Sequence, residues 1–332
     1  MKTLSKRKIL KFKELIKDKS TFVLFTHANP DGDAIGSLLA FYYFLRDLGK
    51  EVFVFLHSPI PYFYQFLLTE ELNKIENIDT HFDVGIILDC SDLERIKSGV
   101  NLKERFSTLV NIDHHPTNTS FGDLNIVIPT ASSVTEIIYD LIVGLRGKIT
   151  KIIAESLLTG LITDTGSFKY SNTTPKSLKI AGELVNKGAD ITYISKEIYD
   201  KKKLSSLKLL GTALLRLESS ENICWSYITL EDMKKYNATI EDTEGIIDIL
   251  RTLREAEVCI FFYPITEGGI KVSLRSKKKE IDLGKFALIF GGGGHKEAAG
   301  FQMEGHLDEV LKIVTSKIRD FIEEYEQLPV NK

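Results

Sequence analysis

Along the first half of the chain, short apolar runs alternate with longer stretches whose apolar positions recur every three to four residues. Phe22–Phe25, Val52–Leu56, Val84–Leu88 and Leu109–Ile112 are nearly all apolar and rich in Val, Ile and Phe. Strands buried on both faces of a parallel sheet read this way, because neither face needs polar residues for water. Between the runs, Ala34–Leu48 has helical spacing and stops at Gly49, a suitable left-handed C-terminal residue. Ser132–Leu145 and Ile149–Leu161 predict two further helices. Thr174–Lys187 opens with Pro175 near its first turn and ends at Gly188, the expected punctuation of a helix. Strand and helix in alternation predict an α/β domain built on a doubly wound, mainly parallel sheet.

The second half changes character. From Ile191 to Ser219 the pattern is helical and Lys-rich, with Lys201–Lys203 in its middle. Cys224–Thr229, Val258–Tyr263 and Ile270–Arg275 then read as strands, with Gly268-Gly269 as a hairpin turn between the last two. Ile281–Phe290 reads as a short helix leading into a glycine run, and Leu307–Tyr325 as an amphipathic helix. The expected organisation is an α/β domain over 1–190, a helical connector over 191–219, and a smaller α/β domain with a mixed sheet over 220–328.

Composition adds limits. A length of 332 residues suits two domains, and 43% hydrophobic with 27% charged residues is ordinary for a soluble globular chain. The net charge of −3, from 43 Lys and Arg against 46 Asp and Glu, argues against gripping long nucleic acid over the whole surface. A nucleic-acid substrate should therefore be short or locally held. Cys90, Cys224 and Cys259 are too scattered for a disulfide framework or a zinc ribbon, and read as small buried hydrophobes. The Lys-rich N-terminus is followed by an apolar run too short for a signal peptide, and no segment reaches the length of a membrane span. The expectation is a soluble, cytoplasmic protein.

The chemistry concentrates in four places of the first domain. The segment His27-Ala28-Asn29-Pro30-Asp31-Gly32-Asp33 follows the first strand. It fits a cation site, since Pro and Gly tighten the turn and let the side chains converge; the alternative is a solvated turn with Asp33 capping the next helix. Asp89 ends the third run, Asp113-His114-His115 ends the fourth, and Asp164 ends a helix in Gly160–Gly166. Three of the four lie where strands leave the same edge of the sheet, the edge at which doubly wound folds bind ligands. His27, Asp31, Asp33, Asp89, His114 and Asp164 are about twice the ligands one cation needs. Packed together without counter-charge, the carboxylates would repel one another and take up protons. Two divalent cations remove that cost, and a mixed nitrogen and oxygen set suits Mn²⁺, with Mg²⁺, Co²⁺ or Zn²⁺ as alternatives. His57, His81 and His306 fall outside these places and read as surface or packing residues.

These motifs resemble the DHH phosphoesterase family. Asp113-His114-His115 matches its naming triplet, and His27/Asp31/Asp33, Asp89 and Asp164 match its other signatures in order. Arg275 followed by Gly291-Gly292-Gly293-Gly294-His295-Lys296-Glu297-Ala298-Ala299-Gly300 matches the companion DHHA1 signature. The resemblance spans essentially the whole chain, and is strongest to stand-alone nanoRNases that also act on 3′-phosphoadenosine 5′-phosphate. It implies that His27, Asp31 and Asp89 hold one cation and that Asp33, Asp89, His114 and Asp164 hold the other. Asp113 would orient its neighbours, and His115 would face the substrate phosphate.

In the second domain the glycines would let backbone N–H groups approach a phosphate or base, with Arg275 forking onto a phosphate and His295 adding a donor. Gly292, Gly293 and Gly294 are the residues in question, and Lys277–Lys279 could add positive potential. The resemblance implies two-cation phosphoester hydrolysis of short RNA or DNA in a cleft between the domains. Linear dinucleotides such as pApA or pGpG, single-stranded DNA cut in the manner of RecJ, and pyrophosphate are the alternative substrates. A homodimer is compatible with the pattern.

Overall fold

Four of the strands in the first half are the four apolar runs. The computed structural model describes residues 4–266, 268–278 and 280–327, so Lys279 of the Lys277–Lys279 run and residue 328 lie outside the described residues. The chain divides into two units, 1–201 and 202–332.

The first unit contains α1 (Lys6–Asp18), β1 (Thr21–Phe25), α2 (Gly32–Asp47), β2 (Glu51–Phe55), β3 (Phe82–Leu88), α3 (Leu102–Arg105) and β4 (Phe106–Asp113). It continues through β5 (Leu124–Val127), α4 (Val134–Gly144), α5 (Lys151–Asp164), α6 (Pro175–Asn186) and α7 (Ile191–Tyr199). The strands form a parallel sheet in the order β2-β1-β3-β4-β5. The chain moves outward from β1 to β2, then crosses back to β3. The strand order therefore reverses between β1 and β3, and that switch point opens a crevice at the carboxyl ends of the strands.

Alternate residues of each strand serve opposite faces. Phe22, Leu24, Val84, Ile86 and Val110 join the larger core with α2, α4 and α5. Val23, Phe25, Ile87 and Leu109 face a smaller core closed by Ile78, Ile96 and Leu102. Helix α2 is buried from Gly32 to Leu45, because it packs against β1, β2 and β3 as well as α4 and α5. Its approach to α5 depends on glycine. A Cβ on Gly36 would lie 2.5 Å from the Ser156 carbonyl oxygen and 3.0 Å from the Gly160 nitrogen.

The second unit contains α8 (Leu204–Leu215), β6 (Glu218–Ser220), β7 (Ile223–Tyr227), α9 (Leu230–Lys235), α10 (Ile246–Leu250), β8 (Val258–Thr266) and β9 (Gly269–Ser276). It ends with α11 (Leu283–Leu288), β10 (Gly293–Gly294), β11 (Ala298–Glu304) and α12 (Leu307–Gln327). Its mixed sheet has the order β10-β11-β9-β8-β7-β6, parallel at β7–β8 and antiparallel elsewhere. Val258, Ile260 and Phe262 pack with α11 and α12 on one face, while Cys259 and Phe261 pack with α8 and α10 on the other.

The three cysteines are buried, and His57, His81 and His306 are exposed. Helices α1, α3, α9 and α10 and strands β5 and β6 lie outside the elements that the sequence pattern predicts. The glycine run differs from the expected loop. Gly293 and Gly294 pair with Gly300 and Ala299, and the hairpin closes with His295 N–H donating to the Ala298 carbonyl at 2.7 Å. Among the described residues no helix is long and apolar enough to cross a membrane.

The α2–α5 contact yields a test. Gly36→Ala should lose about 1–3 kcal/mol of stability in urea unfolding, because the new methyl meets main chain rather than a flexible side chain. A stability within error of wild type would show that α2 and α5 can separate freely.

Candidate metal centre and nucleotide-binding residues

The turn after β1 is set by Asp31. Its side chain accepts from the N–H groups of Asp33 and Ala34, at 3.1 and 3.0 Å, and so caps α2. The sequence alternative in which Asp33 is the cap is therefore corrected. Asp33 instead accepts from the N–H groups of Val134 and Thr135 at the start of α4, at 2.6 and 3.0 Å. One carboxylate starts its own helix, and the next anchors a helix about a hundred residues away.

Asp89 follows β3 with φ at 56°, in the left-handed region. Few non-glycine residues adopt it, although Asp is among the more tolerant. The turn aims the side chain into the switch-point crevice, where Asp89 is 2% exposed. Its Oδ2 lies 3.8 Å from His27 Nε2, and its Oδ1 lies 3.7 Å from His114 Nε2 and 3.6 Å from His115 Nδ1. Oδ1 is buried and accepts no hydrogen bond from the described residues.

The crevice collects ligand atoms in overlapping groups. His27, Asp31 and Asp89 offer atoms within 4.8 Å of one another, and so do Asp33, Asp89 and His114. Asp164, at the end of α5, reaches the second group through His114, whose Nε2 is 3.7 Å from Asp164 Oδ2. His27 Nδ1 is 3.0 Å from the Ala28 carbonyl oxygen, and His114 Nδ1 is 3.3 Å from that of Ala131. A carbonyl can only accept, so each Nδ1 carries hydrogen and each Nε2 is the nitrogen turned to the crevice. Metal-binding histidines are held in this way.

Electrostatics follow from the crowding. Burial raises the pKa of Asp89 well above the ordinary carboxylate range, and the charges of Asp33, Asp31, Asp113 and Asp164 raise it further. Burial also raises Asp33, against the opposing pull of His114 and the Val134 amide. Burial lowers His27. For His114 the charges of Asp164, Asp33 and Asp113 overcome burial and raise it. Asp113 behaves otherwise. Burial pushes it upward, but the His115 hydrogen bond, the charges of both histidines and the Asn118 amide bring it down to about 2. It is therefore a carboxylate whose Oδ1 accepts from His115 Nδ1 at 2.7 Å.

Two neighbours were not singled out by the sequence. Asn118 Nδ2 donates to Asp113 Oδ2 at 2.6 Å. The exposed Arg95 acts on His27 and Asp31 through its charge, and its carbonyl accepts from the Ala28 N–H at 2.8 Å. Asn118 closes a turn after β4 and Arg95 lies in a 3-10 helix over Leu93–Ile96; polar residues are common in such connecting segments, so composition gives no signal for either.

The candidate residues of the second unit meet at one end of its sheet. Arg275 on β9 lies opposite Ala298 on β11, beside the hairpin that carries His295. Asp248 of α10 accepts from Arg275 Nε at 2.9 Å, and the Leu274 carbonyl accepts from Nη1 at 3.2 Å. In the glycine run, a Cβ on Gly292 would lie 2.3 Å from the Gly300 carbonyl oxygen, and one on Gly294 2.5 Å from that of Ala298. Packing explains these two glycines. A Cβ on Gly293 would meet nothing within 4 Å.

Fold and site together define a two-unit α/β protein with a histidine–carboxylate centre at the switch point of its parallel sheet. The model of the DHH family N-terminal domain matches residues 21–161, and that of the DHHA1 domain matches residues 221–324. The chain belongs to the DHH family. A bifunctional oligoribonuclease and PAP phosphatase NrnA from Thermus thermophilus is 33% identical over 298 residues, covering 89% of this chain and 88% of that protein. The protein of the same name from Bacillus subtilis is 32% identical over 290 residues, covering 84% and 88%. Among solved structures, an exopolyphosphatase-related protein from Bacteroides fragilis is 28% identical with a TM-score of 0.90, covering 98% of this chain and all of that one.

The raised pKa of Asp89 sets a sign for cation uptake. A proton and a cation compete for its carboxyl, so binding releases protons and strengthens as pH rises. The rise in melting temperature on adding Mn²⁺ should be larger at pH 8 than at pH 5.5. An equal rise at both would place the cation away from Asp89.

Proposed function

We propose that this chain is a divalent-cation-dependent phosphoesterase. It hydrolyses short oligonucleotides to mononucleotides and removes the 3′-phosphate of 3′-phosphoadenosine 5′-phosphate. The observation that carries the cation requirement is Asp89 Oδ1, a buried carboxylate oxygen that accepts no hydrogen bond from the described residues, set among imidazoles and further carboxylates. An unsatisfied buried acceptor is costly, and a cation satisfies it. The names of the Thermus thermophilus and Bacillus subtilis relatives support the pair of substrates.

The donor set fits divalent metal: carboxylate oxygens and imidazole Nε2 atoms, with no thiolate. His27, Asp31 and Asp89 would hold one cation, and Asp33, Asp89, His114 and Asp164 the other, with Asp89 shared. Mn²⁺ suits this mixture best. The cations supply polarisation of the phosphoryl group and a water acidic enough to attack near neutral pH.

The protein's own groups do the rest. His115 Nδ1 is committed to Asp113, which supports a reading in which Nε2 is the nitrogen that meets the substrate. A proton on Nε2 passes to the leaving ribose oxygen as the phosphorus–oxygen bond breaks, and a proton of the attacking water restores it. In the second unit, Arg275 held by Asp248, His295, and the backbone at Gly292–Gly294 bind the nucleotide, Gly293 by the closest approach. A substrate gripped by so few groups is short, in keeping with a net charge of −3.

The decisive assay compares end-labelled dinucleotides, longer RNA and 3′-phosphoadenosine 5′-phosphate with Mn²⁺ present. Hydrolysis confined to the long chain would overturn the reading. Asp89→Ala should leave less than about a hundredth of wild-type activity on every substrate; several per cent remaining would remove Asp89 from the shared position. Arg275→Ala and Gly293→Ala should each raise KM for a dinucleotide by about tenfold, with kcat and bound Mn²⁺ nearly unchanged. An unchanged KM in both would restrict these residues to a structural role.

A further inference from the structure

We infer that Asn118 is a positioning residue that sets the orientation of the His115 ring through Asp113. The inference rests on the proposed role of His115 and extends it to a residue outside the matched motifs. Asp113 is fully buried, and each of its oxygens takes one donor: Oδ1 from His115 Nδ1 at 2.7 Å, Oδ2 from Asn118 Nδ2 at 2.6 Å. The carboxylate would otherwise be able to rotate about its own axis. With one oxygen pinned by Asn118, the other can lie only where His115 Nδ1 meets it.

Asn118 is itself pinned. Its Nδ2 also donates to the Cys90 carbonyl at 3.2 Å. Its Oδ1 accepts from Asn111 Nδ2 at 2.9 Å and from the Ser120 N–H at 2.7 Å. The two donor hydrogens and two acceptor lone pairs of the amide are thus all used, and the assignment of its oxygen and nitrogen has one solution. Asn111 is fully buried on β4, so the relay starts in the sheet and ends at the reacting group: Asn111, Asn118, Asp113, His115. None of these contacts involves an atom of the six residues proposed to hold the cations. The relay therefore governs His115 and leaves the metal centre alone.

This separation makes the role testable. Asn118→Asp keeps the shape, but replaces the donor to Asp113 with an oxygen. Two substrates report on it with Mn²⁺ present: a 5′-phosphorylated dinucleotide, whose ribose leaving group needs a proton, and the p-nitrophenyl ester of thymidine 5′-monophosphate, whose leaving group does not. The variant should lose about 10- to 100-fold in kcat on the dinucleotide with little change in KM. On the p-nitrophenyl ester it should lose less than about threefold. Asp113→Asn should show the same split, and the double variant should be little worse than either single one.

Bound Mn²⁺ should stay at the wild-type stoichiometry. In the metal-free protein, the ¹⁵N spectrum of His115 should show hydrogen on Nδ1 in wild type and a changed tautomer balance in Asn118→Asp. Equal losses on both substrates, a loss of Mn²⁺, or an unchanged His115 tautomer would each overturn the inference. Wild type that cleaves neither ester would instead sink the phosphoesterase reading, and the tautomer spectrum would still decide what Asn118 does.

Discussion

Repulsion among carboxylates at the switch point is the constraint on which the first unit depends. Asp89 is buried beside Asp33, Asp31, Asp113 and Asp164, and its own charge is disfavoured by all four. Such a centre lowers stability unless its charge is balanced, so the remainder of the fold must hold it together. The means are visible. Helix α2 approaches α5 across Gly36, which fixes Asp33 at the start of one helix relative to Asp164 at the end of the other. Asp33 then anchors α4 through two main-chain N–H groups. The apolar contacts of α2 with the sheet and α5 offset the cost of the carboxylates it delivers.

Three histidines enter this centre, and their partners divide them by task. His27 and His114 each commit Nδ1 to a main-chain carbonyl, which fixes hydrogen on Nδ1 and turns Nε2 to the crevice. His115 commits Nδ1 to a carboxylate instead. A carboxylate partner stabilises positive charge on a ring while a proton is being moved, as a carbonyl does less well. The adjacent residues His114 and His115 therefore suit different chemistry for a reason that lies in their neighbours.

Much of this was legible in the sequence because burial on both faces leaves an unmistakable record. Phe22–Phe25, Val84–Leu88 and Leu109–Ile112 read as central strands and are so, and the polar residues at their ends share one edge of the sheet. What stayed hidden was governed by other forces. Asp31 and Asp33 are both good helix caps, and only the tertiary contact with α4 decides between them. Asn118 sits in a polar turn, where an asparagine carries no message until its hydrogen bonds are seen. Helix α1 is rich in Lys and buries only Phe12 and Ile16, so its apolar stripe is narrow.

The glycine run shows how a motif can be right in place and incomplete in reason. Four successive glycines suggest an open loop, since glycine has low strand propensity. Yet Gly293 and Gly294 form a strand, because β11 and the hairpin at His295 impose it. Crowding against Gly300, Phe301, Ala298 and Ala299 excludes a side chain at Gly292 and Gly294. Those two glycines would be required in a protein that bound nothing. Only where space is open does the lack of a side chain point outward, and Gly293 has that open space within the run's strand. Packing thus accounts for Gly292 and Gly294 and leaves Gly293 unexplained by it, and the empty volume around each Cα separates the two cases.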